Sequence, residues 1–417
     1  MTDTATQPSR PTDRQDERLR DGAGGVRGAL SAAVGRIRGG DLGLLPVIVG
    51  LAVIWTIFQI LNPFFLSSNN LANLLMQSVP VGILALGIVC VLLVGEIDLS
   101  VGSVSGLSAA VVAVTFVNLG WPLPLAILAS VASGLAIGAF YGVIYVRLGV
   151  PAFVITLAGL LGFLGLQLLT LGKSGTINLP VDSFLVYLGQ QAFVPKPLAY
   201  VIVSVAAVAL FLSNFLKARR RTAAGLSASP LGMNIAASGT LLVVLGFAAW
   251  FLNQSRGVGW MFVFFIALVL VMHYALTRTS WGRSMYAVGG NKEAARRSGI
   301  NVSGVYMSAF MLCSAFAALG GLMAAARLNS AGPQTGTGDV NLNAIAAAVI
   351  GGTSLFGGRG SAFAALVGVL VIQSISSGLT LLNLDSSIRF IVTGAVVLIA
   401  VALDAVARRS RSSSGRA

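Results

Sequence analysis

An all-α bundle of ten to twelve transmembrane helices is the fold class this chain predicts, and three observations predict it. Of its 417 residues, 56% are hydrophobic and only 10% charged, with a mean hydropathy of +0.88. Soluble domains carry roughly 25% charged residues, so this surface suits lipid better than water. From about Leu42, apolar segments follow one another with short polar or Gly-rich interruptions. The basic residues sit in small clusters between those segments. That distribution makes the net charge of +14 a topology signal facing cytoplasm and anionic lipid, and excludes a nucleic-acid surface.

Residues 1–41 are rich in Arg, Asp, Gly and Ser, without an apolar run long enough for a signal-peptide core. They read as a disordered basic cytoplasmic tail. Residues 42–404 read as the transmembrane domain and 405–417 as a second basic cytoplasmic tail. Candidate spans are 43–62, 71–95, 101–118, 123–146, 150–171, 197–216, 235–252, 259–276, 305–327, 342–357, 361–382 and 388–404. About 20 residues at 1.5 Å each cross a hydrocarbon core roughly 30 Å thick. The short segments beside Gly-rich breaks fit re-entrant or broken helices as well as full spans.

With the N-terminus cytoplasmic, 22 Lys and Arg fall inside: both tails, Arg147, 217–221, 277–304 and Arg359. Lys173, Lys196, Arg256, Arg327 and Arg389 fall outside. A bias of 22 to five puts both termini inside. Trp121, Trp250, Trp260 and Trp281 lie at the expected interfaces, where an aromatic belt belongs.

The chemistry that is missing narrows the function. Gly172-Lys173-Ser174 resembles the end of a phosphate loop, but the first glycine would be at position 167, which is Gln167. No dinucleotide fingerprint, nucleophile elbow or zinc motif occurs. The chain therefore has no ATPase site and no enzymatic centre of its own. Asp182, Asp339 and Asp385 on the outer side are too scattered for a membrane-embedded enzyme. Cys90 and Cys313 lie inside apolar runs as small packing residues, with no metal set, and His273 reads as a packing or interfacial group.

Glu96 and Asp98 are the conspicuous carboxylates, in Gly95-Glu-Ile-Asp-Leu-Ser-Val-Gly102. Three roles are open: capping or bracing at the next helix, lining a polar pathway, or a proton relay. Gly351-Gly-Thr-Ser-Leu-Phe-Gly-Gly358 shares its Gly-x-x-x-Leu-x-x-Gly pattern, also between apolar runs. Interrupted helices of this kind mark substrate paths in transporters, which makes Glu96, Asp98, Ser100, Thr353 and Ser354 candidate pathway residues. Glycines at every fourth position, 134, 138 and 142, and again 102 and 106, permit close helix packing, within one subunit or across a dimer seam.

The soluble segment 277–304 is the most informative loop. Asn291 can cap a short helix starting near Lys292, with Glu293 in its first turn, Arg296 and Arg297 near its end, and Gly299 as its stop. Such a charged helix can dock a soluble partner.

Three motifs together carry a resemblance: Glu-Ile-Asp-Leu-Ser-Val-Gly-Ser (96–103), Tyr-Ala-Val-Gly-Gly-Asn-Lys-Glu-Ala-Ala-Arg-Arg-Ser-Gly-Ile-Asn-Val (286–302) and Val-Ile-Gly-Gly-Thr-Ser-Leu-Phe-Gly-Gly-Arg-Gly-Ser (349–361). They resemble the ribose/xylose-type permeases of bacterial ATP-binding-cassette (ABC) importers over 43–404. The segment 217–276, with Asn253-Gln254-Ser-Arg256-Gly257-Val258, is most similar to the xylose branch. The resemblance implies a monosaccharide permease in the bacterial inner membrane, working as two copies with an ABC ATPase that binds the ATP and an extracytoplasmic sugar-binding protein. It implies no cofactor on this chain. Gly290, Asn291, Glu293, Ala294, Ala295, Arg296 and Gly299 would then form the ATPase-coupling segment. Relatives carrying branched-chain amino acids or nucleosides, and a cation-coupled transporter, are the competing readings. The basic tails are not required by the family.

Overall fold

The computed structural model describes residues 45–385, 387, 388, 390–396, 398 and 402. Both basic tails and Arg389 lie outside the described residues, as does part of the 388–404 span. The described chain is almost wholly helical, and its contacts divide it into two units.

The larger unit comprises the described residues of 45–193 and those from 258 onward. Its helices begin with α1 (Leu45–Leu61), α2 (Ser68–Leu93), α3 (Val101–Ala113), α4 (Leu123–Val143) and α5 (Ala152–Leu171), with a short α6 (Phe184–Gln190). The second unit, 194–257, contributes an antiparallel pair, α7 (Lys196–Ala223) and α8 (Leu231–Leu252). The larger unit resumes with α9 (Trp260–Arg278), α10 (Ser280–Gly290), α11 (Lys292–Arg297), α12 (Val302–Leu328), α13 (Val340–Ile350) and α14 (Ala362–Leu381). Among the described residues nine helices are long and apolar enough to cross a membrane, and α1 and α13 are shorter apolar helices.

α2, α3, α12 and α14 are mostly buried, while α4, α5 and α9 turn much of their surface outward. Leu157, Leu161 and Leu169 of α5 are exposed on the outer surface, which suits lipid contact of a spanning helix. α12 packs against α2, α3 and α4. Its seam with α4 runs along Gly134, Gly138 and Gly142, which face Ser314, Phe310 and Met307 in turn. The glycine stripe thus serves packing inside one subunit, where it lets two backbones approach. Cys90 and Cys313 are buried free thiols, and His273 stacks on Phe363 with ring centroids 4.9 Å apart.

Two helices begin or end inside the bundle. The chain leaves α2 at Leu93 and runs without helix through 94–100 before α3 starts. The expected span 342–357 is half a span: α13 stops at Ile350 and turns and extended chain occupy 351–361. At 1.5 Å per residue its 11 residues cover about 16 Å, roughly half a hydrocarbon core. Gly351–Thr353 are too nearly neutral in hydropathy to mark an end, but Gly352 at φ +96 stops the helix, and Gly357 and Gly358, also at positive φ, keep the following chain from resuming it.

At one end of the bundle β1 (Ile177–Asn178) pairs antiparallel with β2 (Ser330–Ala331), joining the two segments expected outside. Gly172-Lys173-Ser174 is a single tight turn after α5, which makes no phosphate loop.

Candidate functional site

At the other end, three backbone segments meet: the end of α2, the end of α10 and the second break. The Gly358 amide donates to the Leu93 carbonyl at 2.9 Å. Gly289 lies so close to Leu93 and Gly358 that a Cβ there would overlap the Leu93 carbonyl oxygen. Gly95 lies against Phe356 and Gly357, and Gly290 against Gly358. The two similar eight-residue segments therefore touch, and the end of α10 is wedged against both. The Tyr286 hydroxyl adds a bond to the Gly360 carbonyl at 2.9 Å.

The first break is fastened from inside the bundle. Asp98 is fully buried, and its Oδ1 accepts from the Ser100 amide at 2.8 Å and the Ser100 hydroxyl at 2.7 Å. Tyr141 of α4, itself buried, donates to Ser100 Oγ at 2.7 Å. Asp98 thus braces the turn before α3, while Ser100 stands at the cap position without a side-chain capping bond. Among the described residues Asp98 Oδ2 finds no hydroxyl or amide donor, the Cys313 thiol being the group beside this carboxylate, and Oδ1 of Asn341, whose amide donates to the Leu99 carbonyl, finds no donor either.

Glu96 sits nearer the bundle end. Its Oε1 accepts from the Tyr145 hydroxyl at 2.6 Å. Burial pushes this carboxyl upward from its ordinary value, opposed by the Tyr145 hydrogen bond and the Lys292 charge. Tyr145 stands in a π-type turn, 144–148, that extends α4, a distortion frequent at functional sites.

In the second break, Thr353 is buried with its Oγ1 unpartnered among the described residues, and Ser354 Oγ accepts from the Phe356 amide at 3.2 Å. Gln167, whose side chain stands where a phosphate loop would need glycine, is fully buried. Its amide donates to the carbonyls of Gly332 (2.9 Å) and Thr335 (3.0 Å), holding 332–335 beside Gly106. Tyr141, Asn341 and Gln167 were missed by sequence reasoning. A lone Gln or Asn inside an apolar run was the available signal.

The short soluble helix has the expected construction. Asn291 Oδ1 accepts from the Ala294 amide at 2.9 Å, capping α11. Glu293 lies in the first turn and pairs with Arg296 at 3.1 Å, both exposed. Ala295 alone of its residues is buried, and Gly299 adopts φ +81 beyond its end. The preceding helix α10 was not foreseen; Thr279 caps it by accepting from the Gly282 amide at 3.1 Å, and Trp281 donates to Ser308 Oγ at 2.8 Å.

Broken helices inside a polytopic bundle are the architecture of a solute permease, since unwound backbone survives at membrane depth only when it lies within protein or along a cavity. The chain belongs to the family described as branched-chain amino acid transport system, permease component, whose profile matches residues 70–401. It is 39% identical to the xylose transport system permease protein of Escherichia coli, over 83% of this chain and 87% of that one. The Haemophilus influenzae xylose transport system permease protein is 34% identical, over 88% and 98% of the two chains. The ribose import permease protein of Escherichia coli is 33% identical, over 86% and 92%. No solved structure matches. The chain is accordingly a multi-pass membrane protein and the permease component of an importer, a transport subunit rather than an enzyme. ATPase and substrate-binding components belong to other chains.

Proposed function

We propose that the chain passes a pentose, xylose or a close relative, across the bacterial plasma membrane, along a path bordered by the 94–100 and 351–361 breaks. The observation that carries this reading is the chemistry of the buried polar groups. Among the described residues Asp98 is the one charged side chain in that set; the others are Ser, Thr, Asn and Gln. Hydroxyl and amide groups exchange hydrogen bonds with an uncharged polyol at little cost. An amino-acid zwitterion carries a carboxylate, and an intramembrane charge without a counter-charge is expensive. The identity to xylose and ribose permeases over most of the chain supports the same class.

In this reading α11 docks the ATPase through Gly290, Asn291, Glu293, Ala294, Ala295, Arg296 and Gly299. Asp98, Ser100, Thr353 and Ser354 border the path, and Glu96 stands at its inner mouth. Two copies of the chain form the translocating core, with lipid around it and both termini in the cytoplasm. Selectivity rests mainly with the extracytoplasmic sugar-binding protein. The test is uptake of labelled xylose by cells expressing the complete importer, challenged with excess unlabelled xylose, ribose or leucine. Competition by the sugars and none by leucine is expected. Competition by leucine alone would replace the sugar reading with an amino-acid one.

A further inference from the structure

Lys292 opens α11, yet its ammonium does not point into open solvent alone. It lies over the rings of Tyr306 and Tyr145, at 5.1 and 5.7 Å from their centroids. Those rings are 4.7 Å apart. Each tyrosine hydroxyl reaches the first break: Tyr145 donates to Glu96 Oε1 at 2.6 Å, and Tyr306 to the Val94 carbonyl at 3.4 Å. The rings come from α12 and from the π-type turn beyond α4, so both are held by spanning elements.

We propose that Lys292, Tyr145, Tyr306 and Glu96 form the link by which displacement of α11 moves the 94–100 segment. The inference rests on the docking reading of α11. A force on α11 moves Lys292, whose contact with the two rings is attractive at this distance. The rings transfer the displacement through two hydrogen bonds, one charge-assisted, to Val94 and Glu96. Four residues further on, Ser100 anchors Asp98 and accepts from Tyr141, so a shift at Glu96 changes the strain on the Asp98 turn. The wedge of Gly289 against Leu93 acts on the same segment from the α10 side. Glu96 is in this account a positioning residue.

Two measurements test it, and they fail separately from the docking reading. In the purified full-length chain, amide hydrogen exchange at 94–100 should rise in Lys292→Met by about two- to fivefold, the factor a cation–π contact corresponds to. Exchange in α2 and α12 should stay unchanged, and Lys292→Arg should restore protection. If Lys292→Met raises exchange everywhere, Tyr145→Phe, which keeps the ring and removes the hydroxyl, decides by the same local readout. In the complete importer, Tyr145→Phe should co-purify its ATPase normally but transport about tenfold less xylose per ATP hydrolysed, the scale of a lost hydrogen bond to a charged group. Unchanged exchange at 94–100, or wild-type transport per ATP in Tyr145→Phe, overturns the link. Failure of the wild-type chain to retain an ATPase overturns docking, while the exchange result still decides the link.

Discussion

Gly289 and Gly290 are neighbours with opposite surroundings, which makes them a sharp pair at the scale of single residues. A Cβ on Gly289 would collide with the Leu93 carbonyl and crowd the Gly358 amide, whereas one on Gly290 would meet nothing within 4 Å. Neither obstacle is a flexible side-chain tip, so the backbone itself must give. Overpacking of this kind costs about 1–3 kcal/mol. Gly289→Val is therefore expected to lower the thermal midpoint of the purified protein by several degrees, and Gly290→Ala to leave it unchanged. Equal midpoints for the two variants would mean that the α10 end is not wedged between the two breaks. The same residues mark what a sequence can and cannot reveal. Asn291, Glu293 and Gly299 were legible because capping, dipole and left-handed stop are local signals. Tyr145 and Tyr306 were not, because their meeting over Lys292 joins three segments far apart in the chain.

At the scale of elements, α11 is a helix of six residues, too short to be stable alone. It persists because Asn291 caps it, Ala295 is buried and the chain just before it is held by the packing of Gly289 against Leu93 and Gly358. Glu293 pairs with Arg296 on the exposed face, and surface pairs are worth about 0–1 kcal/mol. Reversing that charge should spare the fold and damage what the exposed face binds. Gly299→Val strains a position at φ +81, a conformation that costs a residue with a Cβ roughly 1 kcal/mol or more. Glu293→Arg and Gly299→Val should insert and accumulate normally while losing ATPase co-purification and sugar uptake. Full retention of both in both variants would remove α11 from the docking role. The broken element α13 shows the limit of hydropathy. Its apolar run continues through Gly351, but the sum over residue types ignores the positive-φ glycines that halt the helix. Amphipathic α10 is hidden for the converse reason: too polar for a span, it contains three glycines that argue against helix.

For the whole molecule, the charge bias and the packing agree on two ends. The segments expected outside, 173–196 and 328–341, meet through the β1–β2 pair. The end of α10 and the 94–100 and 351–361 breaks meet at the opposite, basic side. Asp182 and Arg297 are both exposed, so single cysteines at these positions, in a background lacking Cys90 and Cys313, should label differently. An impermeant maleimide should modify position 182 in intact cells and position 297 only after permeabilisation; equal labelling at both from outside would reverse the topology. Nine of the twelve expected runs are long apolar helices among the described residues, so the position of most spans was legible from apolar length alone. How the breaks converge was not, because it depends on tertiary contacts between runs. The central claim is that this chain carries a sugar only when a separate ATPase drives it. Proteoliposomes holding the chain with its ATPase, supplied with the sugar-binding protein and labelled xylose, measure this directly. Uptake should require ATP and all three components, survive an uncoupler, and vanish with the chain alone. Xylose accumulation by the chain alone under a proton gradient, abolished by the uncoupler and indifferent to ATP, would contradict the account.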